Sequence, residues 1–215
     1  MFDALVFDFD YTLADSSTGI LLCIQHALRE MDLPPAPEDR MRESIGLTLS
    51  KTLTFLTGIE DEPSSEAFTR LFVSHADRIM ADHTVVYDSV PPVLAALRTA
   101  GMPLGIVSTK YRYRIEAILE RDDLLSHFDL IVGGEDVEEH KPHPSSLQRA
   151  LGELNCDPER ALYIGDHPVD AEAAHRAGVP FVAVLTGTST HDQFEPFARH
   201  GVLEDLSALP GLIGL

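Results

Sequence analysis

Two aspartates at the end of an apolar run are the first residues of this sequence that could do chemistry. In the segment DALVFDFDYTLADS, Asp8 follows the apolar residues 5–7 and Asp10 follows Phe9. The apolar, branched and aromatic residues of this run predict a short buried strand. Side chains two apart on a strand point the same way, and neighbouring acids oppose each other's ionisation. A nucleophile beside an acid–base group, with a divalent cation to relieve the repulsion, would account for the pair better than a turn acid and a helix cap.

A second group of candidates combines hydroxyls with a lysine. Ser108 and Thr109 lie between a predicted strand and a predicted helix, where hydroxyls and backbone N–H groups bind an oxyanion or simply cap the helix. Lys141 lies in the segment EEHKPHP, where Pro142 favours an extended backbone. Most lysines in such loops are exposed, but a cation directed at a phosphate would also suit this segment.

A third group consists of two acids in the segment YIGDHPVDAEAAHRAG. Asp166 ends a predicted strand, and Asp170 lies in the first turn of the next helix. Acids at a helix start can merely favour the helix dipole. Together with Asp8 they could instead hold Mg²⁺, which prefers a few carboxylates together with water and phosphate oxygens.

The chain from residue 85 onward alternates helical and strand patterns, which predicts the framework that positions these residues. Strands separated by helices form a parallel sheet with helices on both faces, and ligands bind beyond the carboxyl ends of its strands. Asp8, Asp10, Ser108 and Asp166 all fall at such ends, so they can converge although they are far apart in sequence. The predicted strands after the first are at residues 104–107, 130–132, 161–164 and 181–185. A short helix near 192–198, an extended piece at Val202 and a last helix from Ser207 complete the prediction.

Residues 16–82 show helical periodicity instead, with apolar residues at helical spacing over 20–31 and 67–79. Shorter helices are predicted at 39–44 and 49–56, after a proline-rich break at 33–37. We therefore expect a four-helix insertion. The expected domains are an α/β core of residues 1–15 and 83–215 and a helical cap of residues 16–82.

The amino-acid composition of the chain restricts its possible binding partners. The 215 residues include 35 acids against 16 basic residues, and the resulting net charge of −19 disfavours nucleic acid and anionic membranes as partners. Two cysteines without a CxxC motif imply neither a disulfide framework nor a zinc cluster. With no apparent signal peptide and no apolar run that could span a bilayer, we expect a cytoplasmic protein. The sequence leaves monomer and homodimer equally open.

The segments DFDYTLADS, IVSTK, HKPHP and YIGDHPVD resemble, in this order, the four motifs of the haloacid dehalogenase-like hydrolases. The closest resemblance is to phosphoglycolate phosphatase-like proteins with a helical cap. It implies a Rossmann-like core with an all-helical cap inserted after the first strand. It also implies Mg²⁺-dependent hydrolysis of a small phosphate monoester, phosphoglycolate-like or a sugar phosphate, through a phospho-aspartate.

The resemblance also assigns roles to the site residues. Asp8 is the expected nucleophile, and Asp10 the general acid for the leaving group and then the base for water. Ser108 and Lys141, with Thr109 beside them, are expected to bind the phosphoryl oxygens. Asp166 is expected to bind Mg²⁺ together with Asp8 and the carbonyl of Asp10, and Asp170 to support the metal without contacting it directly.

Tyr11 departs from the family pattern, in which glycine is usual, and a bulky residue there could narrow the site. Asp10 argues for phosphoryl chemistry, since dehalogenases of this family lack that acid. A β-phosphoglucomutase-like phosphomutase, a pyrophosphatase or nucleotidase, and a non-catalytic regulatory protein remain alternatives. A dinucleotide-binding domain is disfavoured because no G-x-G-x-x-G follows a strand. A zinc site is disfavoured because no cysteine joins the candidate histidines, which are His140, His143, His167 and His175.

Overall fold

The computed structural model describes residues 2–197 and 200–215. The chain divides into two compact units, Met1–Ala14 with Val86–Leu215 and, between them in sequence, Asp15–Val85. The first boundary lies one residue before the expected end at 15, and the second lies three residues after the expected start at 83. The functional roles of core and cap for these two units remain predictions.

The strands are β1 (Ala4–Phe7), β2 (Ala14–Asp15), β3 (Val85–Val86), β4 (Leu104–Val107), β5 (Leu130–Val132), β6 (Ala161–Gly165), β7 (Phe181–Val184) and β8 (Gly201–Leu203). The α-helices are α1 (Ser17–Glu30), α2 (Glu38–Glu43), α3 (Leu49–Thr57), α4 (Glu62–Ile79), α5 (Val90–Thr99), α6 (Arg112–Arg121), α7 (Ser145–Leu154), α8 (Pro168–Ala177) and α9 (Leu209–Ile213). Short 3₁₀ helices lie at Leu125–His127, Gly134–Asp136, Pro158–Arg160, His191–Phe194 and Leu206–Ala208.

In the part of the chain that the structure describes, six strands form one parallel sheet in the order β5-β4-β1-β6-β7-β8. Every residue of β1, β4, β6 and β7 is buried, although side chains alternate between the faces of a sheet. Helices must therefore cover both faces, as is usual for parallel sheets. The predicted fold class is confirmed.

The register of this sheet brings the ends of three strands to one level. Phe7 of β1 pairs with Ile106 of β4 on one side and with Ile164 of β6 on the other. The residues that follow these strands consequently emerge side by side at one edge of the sheet. The sequence alone predicts the strands, but this pairing is what aligns their ends.

The unit Asp15–Val85 contains the four expected helices, α1 to α4, and all of its residues are described. Helices α1 and α4 contact each other, and both carry buried side chains, among them Ile24 and Leu28 of α1 and Phe68 and Phe72 of α4. Helix α4 begins at Glu62, before the apolar spacing over 67–79, because the Asp61 carboxylate accepts the Ser64 N–H at 2.9 Å and caps the helix there.

The shorter features match the sequence prediction less closely than the long helices and strands do. Strands β2 and β3 pair with each other, and neither was predicted because two residues are too few to show alternation. The extended piece at Val202 is β8. The short helix predicted at 192–198 is a 3₁₀ helix over His191–Phe194, and the predicted end at residue 198 lies outside the described residues. The last α-helix begins at Leu209, after a 3₁₀ turn.

Candidate active site

The candidate site is assembled where β1, β4 and β6 end. Asp8 follows β1 directly, and its backbone N–H donates to the Ile164 carbonyl at 2.8 Å, which ties it to β6. The Asp8 carboxylate accepts the Phe9 N–H at 2.7 Å through Oδ1. Ser108 follows β4 and donates its N–H to the Val132 carbonyl at 3.0 Å. Backbone bonds to the neighbouring strands therefore hold both residues at the sheet edge.

Three carboxylates meet at this edge. Asp8, Asp166 and Asp170 are buried, and each offers an oxygen within 4.8 Å of the others. Asp170 reaches the cluster from the first turn of α8 because Gly165 has no side chain, since a Cβ there would lie 2.6 Å from Asp170 Oδ2. The His167 N–H donates to the same oxygen at 3.1 Å and fixes its direction. The structure thus brings together three of the acids that the sequence singled out.

Lys141 supplies the cation of this cluster. Its Nζ lies 3.1 Å from Asp8 Oδ2 and 2.6 Å from Asp170 Oδ1. The residue is only 4% exposed, which excludes the interpretation of Lys141 as an ordinary loop lysine. The chain has three lysines, Lys51, Lys110 and Lys141, and two of them are buried in this unit.

Tyr163 is a member of the site that the sequence argument missed. Tyr163 belongs to the buried strand β6. Its hydroxyl donates to the Val107 carbonyl at 3.2 Å and accepts from Lys141 Nζ at 3.1 Å. It also lies 3.1 Å from Asp170 Oδ1. A tyrosine in a fully buried strand must satisfy its hydroxyl, and this rule is the signal that could have drawn attention to it.

Burial and mutual repulsion shift the pKa values of the cluster. Burial raises the pKa of Asp8 to about 6, with Lys141 opposing the shift and Asp170 adding to it. Burial, followed by the charges of Asp170 and Asp8, raises the pKa of Asp166 well above its usual value. Burial by itself would lower the pKa of Lys141, but Asp170 and Asp8 outweigh it, and the pKa of this lysine is raised. One lysine therefore faces more carboxylate charge than it can neutralise.

The excess of carboxylates fits a divalent cation. Three buried acids with converging oxygens and one lysine leave net negative charge in a place shielded from water. Mg²⁺ binds hard oxygen ligands and typically uses one or two carboxylates together with water and phosphate oxygens. Asp8 and Asp166, with Asp170 beside them, fit that description.

Asp10 lies apart from this cluster and has its own lysine. Strand β1 ends at Phe7, so strand alternation does not relate Asp8 and Asp10, and Asp10 is only the smallest of the causes that raise the pKa of Asp8. Asp10 therefore adds to the rise in the pKa of Asp8, as expected, but less than burial and Asp170 do. Asp10 Oδ1 and Oδ2 accept hydrogen bonds from Lys110 Nζ at 2.9 and 3.1 Å. Lys110 belongs to the IVSTK segment but received no role from the sequence.

Ser108 and Thr109 lie in a tight loop between β4 and α6. Ser108 is buried, and its Oγ accepts the Lys110 N–H at 3.3 Å. Helix α6 has Tyr111 as its N-cap residue, with no side-chain cap bond, so neither Ser108 nor Thr109 occupies the N-cap position that the plainer interpretation proposed. Phosphate binding by Ser108, Thr109 and Lys141 remains a prediction.

The loop after Asp10 contains the residue that departs from the family pattern. Tyr11 has φ of 58°, in the left-handed region that favours glycine. Its carbonyl accepts a hydrogen bond from the Thr186 hydroxyl, and its N–H donates to the Ala14 carbonyl at 2.7 Å. Thr12 Oγ1 donates to Asp166 Oδ1 at 3.4 Å. The loop therefore links Asp10 to the carboxylate cluster, and its backbone explains a preference for glycine where this chain has tyrosine.

Two further findings bear on the alternatives. Among the described residues, the groups of acids and histidines close enough to share a metal are Asp8–Asp166–Asp170 and the exposed His191–Asp192–Glu195. None of the four histidines considered for zinc belongs to either group. Within the same residues, no helix combines the length and apolar character that crossing a membrane requires.

Similar proteins are known for nearly the whole chain. The sequence profile of a family described as Haloacid dehalogenase-like hydrolase matches residues 5–184. The phosphoglycolate phosphatase of Salmonella typhimurium is 32% identical over 232 aligned positions, which cover 97% of this chain and 92% of that protein. The crystal structure of a haloacid dehalogenase-like hydrolase from Bacteroides fragilis has a TM-score of 0.95 at 39% identity, covering 97% of this chain and 100% of that one. A predicted phosphoglycolate phosphatase from Haemophilus somnus has a TM-score of 0.86 at 26% identity, covering 99% and 98%.

Proposed function

This chain belongs to the haloacid dehalogenase-like hydrolases, and we propose that it is a Mg²⁺-dependent phosphatase that acts on a small phosphate monoester. Its family and its class of enzyme, which were expected from the four motifs, are confirmed. The observation that carries the proposed chemistry is the buried group in which Lys141 contacts Asp8 and Asp170, with Asp166 beside them.

Asp8 is the proposed nucleophile. Its carboxylate attacks phosphorus, the bond between phosphorus and the ester oxygen breaks, and Asp10 gives that oxygen a proton. A water molecule then attacks the phospho-aspartate, Asp10 takes the proton, and Asp8 is released with inorganic phosphate. A pKa of about 6 leaves most of Asp8 ionised at neutral pH, as a nucleophile requires.

The charges around Asp8 suit a dianionic substrate only if cations are added. A phosphate monoester carries negative charge that three neighbouring acids repel, and Lys141 offsets part of it. Mg²⁺ held by Asp8, Asp166 and the Asp10 carbonyl would neutralise the remainder and polarise the phosphoryl oxygens. Ser108 and Thr109, in the loop after β4, are proposed to hold the phosphoryl group in line with Asp8.

The proposed substrate is a small phosphorylated metabolite of the phosphoglycolate or sugar phosphate class. Relatives named phosphoglycolate phosphatase support this class, and the net charge of −19 disfavours nucleic acid. We assign residues 16–82 as the cap that selects the ester. The presence of only two cysteines, without a CxxC motif, supports the proposed cytoplasmic location.

The test is a panel of phosphoglycolate, hexose phosphates, nucleoside monophosphates and pyrophosphate, each assayed with Mg²⁺ and again with a chelator. We expect at least one monoester to be hydrolysed with Mg²⁺, activity to disappear with chelator and to return with added Mg²⁺. An enzyme that turns over only in the presence of a sugar bisphosphate would be a mutase instead. Failure with every ester would refute the proposal.

A further inference from the structure

We propose that Lys110 is a positioning residue that holds the Asp10 carboxylate in place for both of its proton transfers. This inference rests on the proposed function, in which Asp10 first protonates the leaving oxygen and then accepts a proton from water. Lys110 acts through Asp10, not on the substrate. It is thus distinct from Lys141, whose ammonium contacts the nucleophile itself.

The contact between the two side chains is short and shielded. Lys110 Nζ donates to both oxygens of Asp10, at 2.9 and 3.1 Å, and each residue is only 8% exposed. A bond to both oxygens restricts rotation of the carboxylate as well as its position. Charge-assisted hydrogen bonds are stronger than neutral ones, and burial limits competition from water. Nζ also lies 5.8 Å from the centre of the Phe9 ring.

The backbone of Lys110 is itself fixed. Its N–H donates to Ser108 Oγ, and its carbonyl accepts the Gly134 N–H at 3.0 Å. Gly134 can approach so closely because it lacks a side chain, and a Cβ there would lie 2.4 Å from the Thr109 carbonyl oxygen. The turn after β5 therefore supports the loop after β4, and the loop presents its lysine to Asp10.

The number of carboxyl groups around each lysine distinguishes the pair formed by Lys110 and Asp10 from the environment of Lys141. Lys141 contacts two carboxyl groups of a three-acid cluster, whereas Lys110 donates to both oxygens of one carboxyl group. Burying a charge pair is costly, and such a pair contributes little to stability compared with apolar packing. We therefore explain the buried pair of Lys110 and Asp10, which lies two residues along the chain from Asp8, by the fixed position that it gives the Asp10 carboxylate.

A positioning role predicts that the effect of losing Lys110 depends on the leaving group. An alkoxide is a poor leaving group and needs a proton from Asp10, whereas p-nitrophenolate leaves without one. Attack by water on the phospho-aspartate needs Asp10 as base whichever ester formed it. A variant without Lys110 should therefore form the phospho-aspartate readily from p-nitrophenyl phosphate and hydrolyse it slowly.

The experiment measures rapid-mixing kinetics of wild type, Lys110→Met and Asp10→Asn with Mg²⁺. With p-nitrophenyl phosphate, Lys110→Met is expected to release about one nitrophenolate per enzyme in a burst, followed by turnover roughly 10²-fold slower than wild type. With an alkyl phosphate, its first turnover should itself fall by about 10²-fold, without a burst. Lys110→Arg, which keeps the cation, should recover part of the rate.

A double variant provides the decisive control. Lys110→Met with Asp10→Asn leaves no charge of this pair buried alone, so it remains informative even if Lys110→Met fails to fold. If Lys110 acts through Asp10, the double variant turns over at the rate of Asp10→Asn. A further drop of tenfold or more, or a loss of Lys110→Met activity that is equal for both esters and shows no burst, would overturn the inference. Wild type that hydrolyses no phosphate ester, including those of the panel above, would instead refute the proposed function.

Discussion

Two buried lysines of this protein face very different surroundings. Lys141 contacts Asp8 and Asp170 within a cluster of three acids, whereas Lys110 pairs with one acid of the described residues, Asp10. In the first group, burial and then the charges of neighbouring acids raise the pKa of Asp8 and Asp166, and the group suits an additional cation. The second group is balanced. This difference underlies our proposal that one lysine serves the phosphoryl group and the other serves the proton donor.

Replacing the proposed nucleophile is the most severe test of the first group, which consists of Asp8, Asp166, Asp170 and Lys141. We call this the unbalanced group. Asp8→Asn should reduce turnover by more than about 10⁴-fold, because loss of a nucleophile removes the covalent pathway itself. It should also abolish the acid-stable phospho-enzyme that wild type is expected to form with labelled substrate. Asp157→Asn, at an exposed acid near the opposite end of β6, is the matched control and should retain activity. An Asp8→Asn enzyme that still hydrolyses phosphate esters would refute the assignment of Asp8 as nucleophile, on which the distinction between the two lysines depends.

The second prediction concerns the lysine of the unbalanced group. Lys141→Met should lower the first turnover by roughly 10²–10³-fold, because it removes a preformed cation that faces the developing charge. In contrast to Lys110→Met, the loss should be similar for an alkyl phosphate and for p-nitrophenyl phosphate in rapid-mixing experiments. If Lys141→Met showed a leaving-group dependence like that of the Lys110 variant, the proposed division of roles would fail.

The third prediction concerns stability and pH in the metal-free protein. The folded-state pKa of Asp8, about 6, is above its ordinary value of 3.8, so the folded chain holds this proton more tightly than the unfolded chain does. The stability that comes from the protonated form is therefore present below about pH 4 and is lost as the pH rises to about 6. Asp8→Asn should escape this loss and be more stable than wild type at pH 7 by up to about 3 kcal/mol.

Urea unfolding at pH 4 and pH 7 checks this prediction. The difference between Asp8→Asn and wild type should grow with pH, and Mg²⁺ should reduce it, because the metal stabilises the ionised wild-type acids. Asp157→Asn should show no comparable trend. A wild-type protein that is more stable than Asp8→Asn at pH 7 without metal would show that Lys141 already balances the cluster.

The smallest expected effect lies in the loop that joins the two groups. Tyr11 has a left-handed backbone with φ of 58°, a conformation in which a side chain costs roughly 1–2 kcal/mol. Both Tyr11→Gly and Tyr11→Ala lose the buried ring, so their difference isolates the backbone. Tyr11→Gly should be more stable than Tyr11→Ala by about 1 kcal/mol in thermal or urea unfolding. The opposite order would show that the loop relaxes out of this conformation.

The larger part of the fold could be predicted from the sequence because its signals are local. Apolar runs that end in polar residues predicted β1, β4 and β6, and helical periodicity predicted all four helices of Asp15–Val85. Parallel strands share one carboxyl edge, so the convergence of Asp8 and Asp166 also followed from the pattern. The motif order was sufficient for the family, which the sequence profile confirms.

The side-chain partners were decided only by the tertiary structure. Lys110 and Asp10 are separated by 100 positions, and nothing in either segment indicates which of two nearby aspartates the lysine would bind. The hydroxyl of Tyr163 and the left-handed backbone of Tyr11 likewise depend on contacts with distant segments. The sequence by itself determined which chemical groups reach the sheet edge, because strands and helices form from local patterns. Their pairing into an unbalanced and a balanced group required the packed chain, because charge pairing depends on distances and burial that local patterns do not contain.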